Sequence, residues 1–387
     1  MSRRFERGVF LIALLSSLSS CKKTETVTPA SQPPSPQVRT IAVAAIWETT
    51  GDLSKLGSPA LKATQLAYEH YQSSKRGPMV NLEVQDTQST PQGAASAFQA
   101  ASVRAKPIAV IGPLTSAAAM TVAPLAEREH VVLMTVASTP ALTTAGPFTF
   151  RTYPSDSYEA AVMARYILAH DQHRRVSVVY PQNDYGAGLA EAFRKAVGTQ
   201  LQILQFEAYP EKGAEFRAIA HRVLAATPEI IYAPGYPVGV GPLAKSLRSA
   251  GFKGQIYSSL GIEDPSLFTY AGSAADGIRY TVTALPDATQ NPKRATFEEE
   301  YRKRFGEEAS FPALYGYDTA SVVFDSIAAG ASTAKELQTA FGPGKSFSGV
   351  TGSFTFDENG DVVRDYAIKR VERSKFVADT AVGKTPR

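Results

Sequence analysis

The chain has 387 residues, 44% of them hydrophobic and 20% charged, with a formal net charge of +4. These are ordinary globular proportions, and three arginines against one glutamate in residues 1–20 supply +2 of that charge, so the remainder carries no basic footprint for nucleic acid. Cys21 is the only cysteine, which excludes an internal disulfide and a cysteine metal site from the body.

Arg3, Arg4 and Arg7 precede an apolar run at 9–15, far shorter than the roughly 20 residues that span a bilayer. Residues 1–20 therefore read as an export signal. The signal ends Leu18-Ser19-Ser20-Cys21, which resembles the bacterial lipobox and implies cleavage before Cys21 and acylation of that residue. Residues 21–38 then supply the anchor cysteine, prolines, Ser/Thr and Gln with almost no large apolar side chain. Such a stretch cannot bury enough surface to offset its ordering entropy, and is expected to be a disordered, Pro-stiffened spacer. No later segment approaches membrane-spanning length, and about 350 residues remain, a size that favours two domains.

From residue 39 onward, short apolar runs alternate with helix-period segments. Strands are predicted at 40–46, 80–84, 108–111 and 131–134, with helices over 59–71, 92–105 and 115–128. The alternation restarts after Arg151, with helices over 155–169, 189–197, 216–225 and 240–250 and strands at 176–180, 201–206, 229–232 and 255–257. Such alternation predicts right-handed β-α-β units. Two runs of it predict an α/β protein of two doubly wound, Rossmann-like parallel-sheet lobes. A strand at 278–282 is followed by helices over 292–305, 312–329 and 333–341. The stretch "GSFTFDENGDVVRDYAIKRV" then alternates on both sides of Asn359-Gly360, which predicts a hairpin. These last elements extend neither run, and are expected to cross back and complete the earlier lobes. Residues 378–387 are expected to form a frayed tail.

The catalytic motifs that offer themselves fail on inspection. Gly342-Pro-Gly344-Lys345-Ser346 resembles a phosphate-binding loop, but Thr339 stands where its first glycine belongs. Gly239-Val-Gly241-Pro-Leu-Ala244 fits the dinucleotide pattern, although a helix start of small residues explains it equally well. His170 and His173 lack a third ligand, and the glycine of Asp357–Asp361 comes fourth, not sixth as in a calcium loop. No catalytic residue, cofactor or metal is expected.

Polar residues gather instead where strands end. In open α/β sheets, ligands bind beyond the carboxyl ends of strands, where helix N-termini offer free N–H groups. "VIGPLTSAAAM" places Thr115 and Ser116 at one such end, and "LMTVASTPAL" places Thr135, Ser138 and Thr139 at the next. Each is also a plausible N-cap; together they suit a carboxylate. Tyr185 and Tyr236 occupy equivalent ends in the second run, and Trp47 follows the first strand.

From about 39 to 377 the chain resembles the leucine/isoleucine/valine-binding branch of the type I periplasmic binding proteins. The resemblance is carried by "AVIGPLTSAAAMTVAPLAEREHVVLMTVASTPALT", "FRTYPSDSYEAAVMARYIL", "YPQNDYGAGLAEAF", "PEIIYAPGYPVGVGPLAKSLRSAGFKG" and "TGSFTFDENGDV", in the family's order. It implies two lobes on a three-segment hinge, closing without chemistry on a small solute and delivering it to the membrane subunits of an ABC permease; its three crossings would fall near Pro154, Leu285 and Gly344, putting residues 39–154 and 286–343 in one lobe and 155–285 and 344–377 in the other. Ser116 matches the serine that binds the ligand carboxylate, Ser138 or Thr139 its threonine partner, and Ala137 the backbone position between them. Asp156, Tyr185 and Tyr236 match cleft-lining positions. The family's glutamate for the ligand ammonium falls where this chain has Leu260. Either Glu263 or Asp264 reaches in, Asp156 serves, or the ligand has no α-ammonium. The protein is thus expected to be exported and lipid-anchored, facing periplasm or cell exterior, with an amino acid or related small carboxylate or amide as ligand. A sensory module of the same fold, reporting to a membrane partner without transport, is the alternative; a secreted nucleotide-dependent enzyme is a third reading.

Overall fold

The structure, a computed structural model, describes residues 40–382. The export signal, Cys21, the spacer and residues 383–387 lie outside the described residues. The first run comprises β1 (Ile41–Trp47), α1 (Ser54–Ser74), β2 (Val80–Asp86), α2 (Pro91–Arg104), β3 (Ala109–Ile111), α3 (Ser116–Glu129), β4 (Val132–Thr135) and β5 (Thr149–Arg151). Its five strands are all parallel, in the order β2-β1-β3-β4-β5.

Burial explains why the strands read as unbroken apolar runs. Ala44 and Ile46 of β1 pack towards α2 and α3, while Val43, Ala45 and Trp47 pack on the opposite face. A parallel sheet covered on both sides loses the polar alternation of a half-exposed one. Gly112, just past β3, has φ +88°, and a side chain there would overlap Ile46 and Trp47; only glycine fits that turn.

The second run comprises α4 (Asp156–His170), β6 (Arg175–Pro181), α5 (Asp184–Val197), β7 (Gln202–Tyr209), α6 (Phe216–Ala225), β8 (Ile230–Tyr232), α7 (Pro237–Ser249), β9 (Gln255–Ser258), α8 (Ser266–Ala271) and β10 (Arg279–Thr283). Local signals set the helix starts: the Asn183 side chain accepts the Gly186 amide at 2.7 Å to cap α5, and α7 begins with Pro237. The chain then returns through α9 (Pro292–Phe305), α10 (Phe311–Ala328) and α11 (Ala334–Ala340), followed by β11 (Ser346–Gly349), β12 (Gly352–Thr355), β13 (Tyr366–Glu372) and β14 (Lys375–Val382). The second sheet has the order β14-β13-β10-β9-β8-β6-β7, with β13 antiparallel to both of its neighbours, β10 and β14, and the other pairs parallel. Its parallel part repeats the first sheet's order, each switching direction between its first and third strands.

Two late features depart from the sequence expectation. The turn at Asn359-Gly360 forms, but only Phe356 and Val362 bridge across it. The strands on either side join different partners: β12 pairs with β11, and β13 with β10. The β11–β12 ribbon sits on α10, whose Asp318 carboxylate accepts the amides of Val350 at 2.7 Å and Thr351 at 2.8 Å. The last crossing accordingly runs through 356–365, beyond Gly344, and 346–355 lie with the helices of the first lobe. Residues 378–382, expected as tail, belong to β14 and pair with β13.

Arg151, at the end of β5, binds Asp361 of that last crossing with both carboxylate oxygens at 2.6 Å, from Nε and Nη2. Its Nη1 donates to the carbonyls of Ser138 at 3.0 Å and Thr139 at 2.8 Å. The two side chains are 1% and 6% exposed. Removing one partner of such a pair strands a buried charge, at about 3–5 kcal/mol. Asp361→Ala is therefore expected to lower unfolding free energy by about that amount in denaturant titrations, with Asp361→Asn retaining part of the loss.

Candidate functional site

Both sheets aim the carboxyl ends of their central strands at one cavity, lined from both runs. Ligands of doubly wound sheets bind at such switch points because adjacent loops part there. From the first run come Leu114 and Ser116 after β3, Val136 and Ser138 after β4, and Tyr153 after β5. Leu56 of α1 and Phe311 at the start of α10 close the sides. Tyr185 at the start of α5, Tyr236 at the start of α7 and the turn Leu260–Glu263 after β9 form the opposite wall. The void between them is about 40 Å³.

Ser116 is the first residue of α3 and 2% exposed, yet its hydroxyl has no hydrogen-bond partner among the described residues. A buried unpaired hydroxyl is costly, and the positive end of a 14-residue helix stands behind it. The loop that presents it is tied from below by Glu48. That buried carboxylate accepts the amide of Leu114 at 3.1 Å, and the amide and hydroxyl of Thr115 at 2.9 and 2.8 Å. Burial pushes the Glu48 carboxyl above its usual range against the pull of these bonds.

The tyrosine wall is equally preset. Tyr185 and Tyr236 stack with centroids 4.9 Å apart at 25°. The Tyr185 hydroxyl donates to Ser259 at 2.9 Å and accepts the Gly261 amide at 3.2 Å. Burial holds both phenols well above the usual value, so they stay neutral.

Of the other residues singled out in the sequence, Ser138 and Glu263 line the cavity. Glu263 binds Lys369 of β13 at 2.6 Å through Oε1, while Oε2 is buried without a partner. Thr139 turns away: its hydroxyl faces Gly188 of α5, and its carbonyl serves Arg151. The Ala137 amide is taken by the Thr135 hydroxyl at 3.1 Å. Trp47 is wholly buried in the core against Gly112 and is not on the cavity wall. Asp156 is fully buried just behind the wall, its amide on the Ser138 carbonyl at 2.8 Å and both carboxylate oxygens unpaired. One helical turn on, Glu159 accepts the Leu260 amide at 3.1 Å and the Thr281 hydroxyl. Leu56, Tyr153 and Phe311 carried no signal beyond being apolar or aromatic, which core residues share.

A match to the periplasmic binding protein family model covers residues 40–376. The Leu/Ile/Val-binding protein homolog 3 of Brucella melitensis is 26% identical over 330 residues, 83% of this chain and 88% of that protein. The crystal structure of a leucine binding protein, LivK, from Thermotoga maritima superposes with a TM-score of 0.81 at 27% identity, over 88% of this chain and 98% of that one. The isoleucine complex of LivJ from Streptococcus pneumoniae shares the fold, with a TM-score of 0.78 at 23% identity over 89% and 99% of the two chains.

Burial and, for Asp156, the charge of Glu159 raise the carboxyls of both residues, with Ser138 and Arg151 pulling Asp156 partly back. An acid whose pKa is higher folded than unfolded adds stability at low pH that is lost as pH climbs from the ordinary carboxylate range towards the raised value. Unfolding free energy measured from about pH 5 to about pH 8 should therefore fall less steeply in Asp156→Asn/Glu159→Gln than in the parent chain.

Proposed function

Because the chain belongs to the periplasmic binding protein family, in the type I branch that includes the Leu/Ile/Val-binding proteins, we propose that it is the membrane-tethered, extracytoplasmic solute receptor of an ABC importer. It captures a small amino-acid-like or carboxylate ligand between its lobes and presents the closed complex to the permease. The unpaired Ser116 hydroxyl at the head of α3, opposite the Tyr185–Tyr236 stack, carries this reading. An anion docked there satisfies the hydroxyl and the helix end together. The second lobe touches the ligand only when closed, so binding shifts the balance towards closure. A relative named as a Leu/Ile/Val-binding protein supports reading the chain as a binder.

Anchoring follows from Cys21. Two or three acyl chains at that residue hold far better than one, each buried methylene contributing about 0.8 kcal/mol, and no helix among the described residues is long and apolar enough to cross a membrane. The tether keeps the receptor beside its permease.

Two measurements test the proposal. In a thermal-shift panel of small carboxylates and amino acids on the full chain in detergent, a true ligand at about 100-fold excess over Kd adds about 2.7 kcal/mol. Ser116→Ala is expected to weaken that ligand about tenfold or more without lowering the melting temperature of the free protein; unchanged affinity would remove the anion wall. Palmitate labelling in a bacterial host should mark the parent and miss Cys21→Ser.

A further inference from the structure

Tyr236 lines two spaces between the runs. One is the inner cavity of about 40 Å³, and the other is an outer chamber of about 240 Å³. The outer chamber lies on the side of β2 and β7, the edge strands furthest from the crossings. Its wall from the first run follows β1 and β2, and its wall from the second joins the ends of β6 and β7 to the start of α7. Leu53, Pro91, Pro181 and Val238 give it apolar surface. Tyr209, at the end of β7, lines it and is 2% exposed, yet its hydroxyl has no hydrogen-bond partner among the described residues. That hydroxyl lies against Gly239, where a Cβ would stand 2.4 Å from it. Beside it, Glu211 gives one oxygen to the Asn183 side-chain amide at 2.6 Å. Burial raises the Tyr209 phenol, and the Glu211 charge raises it further. Across the opening, Asp52 and Lys212 face each other at 4.0 Å, both exposed.

A buried tyrosine hydroxyl usually finds a partner, and leaving it unpaired is costly. The chamber therefore sets a donor, Tyr209, beside an acceptor, Glu211, over apolar surface. A carboxylate brought there offers acceptors only, and meets two acids against the one Lys212. An ammonium offers donors only and leaves the phenol proton unpaired. An amide carries an acceptor and a donor on one neutral, planar group. We propose that the outer chamber is a second subsite, for the uncharged amide arm of a solute whose head lies in the inner cavity. The arm's carbonyl accepts from Tyr209, its N–H donates to Glu211, and its apolar atoms lie on Tyr236 and Val238. The inference rests on the receptor reading and extends it: the ligand is an amide-extended solute of dipeptide length, not a free amino acid.

Calorimetry on the full chain in detergent tests this with L-leucine and L-phenylalanine. Each is offered free, as its glycyl dipeptide, as its N-acetylglycyl derivative, and as the O-acetylglycolyl ester that lacks the outer N–H. For at least one side chain the N-acetylglycyl derivative is expected to bind about tenfold tighter than the other three. Tyr209→Phe should weaken that derivative about tenfold while the free protein melts no lower, because the hydroxyl removed had no partner. Val238→Trp, filling the chamber from a position 41% exposed, should weaken it at least as far. A free amino acid binding as tightly as every extended form overturns the inference while the receptor reading stands. So does an extended form that binds the parent and Tyr209→Phe equally. A glycyl dipeptide tighter than its acetylated form assigns the chamber to a cation, and an ester as tight as the amide removes the Glu211 contact; either overturns the inference. Absence of heat from all of them overturns the inference alone if the thermal-shift panel yields a ligand, and both readings if it yields none.

Discussion

The buried fork between Arg151 and Asp361 is the contact on which the cleft's geometry depends. Asp361 lies in the last crossing between the sheets, and Arg151 ends the strand that leads into the first. The same guanidinium holds the carbonyls of Ser138 and Thr139, so hinge and ligand wall share one charged group. A planar donor set suits this because its hydrogen bonds point in fixed directions. A buried pair of this kind adds little net stability compared with apolar packing, and its value lies in orientation.

The two sheets repeat one strand order, and that repetition makes the site. Each sheet parts its loops at its own switch point, and the crossings turn those two points towards each other. Neither half makes a site alone. The first lobe offers a hydroxyl and a helix end, and the second offers rings and a turn in which Ser259 and Gly261 pair with Tyr185 while one oxygen of Glu263 is left without a partner. Among the lining residues, the Ser116 and Tyr153 hydroxyls and one Glu263 oxygen have no partner.

Beneath the first wall, Glu48 ties the loop before α3 and so fixes where Ser116 points. Behind the wall, Asp156 and Glu159 in the first turn of α4 are both fully buried, which favours the neutral forms of their carboxyls. Of the acidic groups around the site, Glu263 lines the cavity itself, paired through one oxygen with Lys369.

The α/β class and the two β-α runs were legible in the sequence, because apolar period acts within a few residues, whereas α1 and α5 begin at Ser54 and Asp184, ahead of the expected 59 and 189, the second where Asn183 caps it. The polar strand ends also stood out, and Ser116, Ser138, Tyr185 and Tyr236 do meet at one cavity. Pattern misled where identical alternation had different partners: "GSFTFDENGDVVRDYAIKRV" looks like one hairpin, but β12 and β13 find their mates far apart along the chain. Trp47 shares the odd-numbered face of β1 with Val43 and Ala45, a period-2 clue that it is core. By itself the sequence determined which segments become strands and helices and which residues are polar at their ends, since these depend on local sterics and hydrophobic period. Only the tertiary structure decided that Glu48 ties Leu114, that Lys369 neutralises Glu263, and that Leu56 and Phe311 face the cavity. Those outcomes depend on distances between residues tens or hundreds of positions apart, which packing alone fixes.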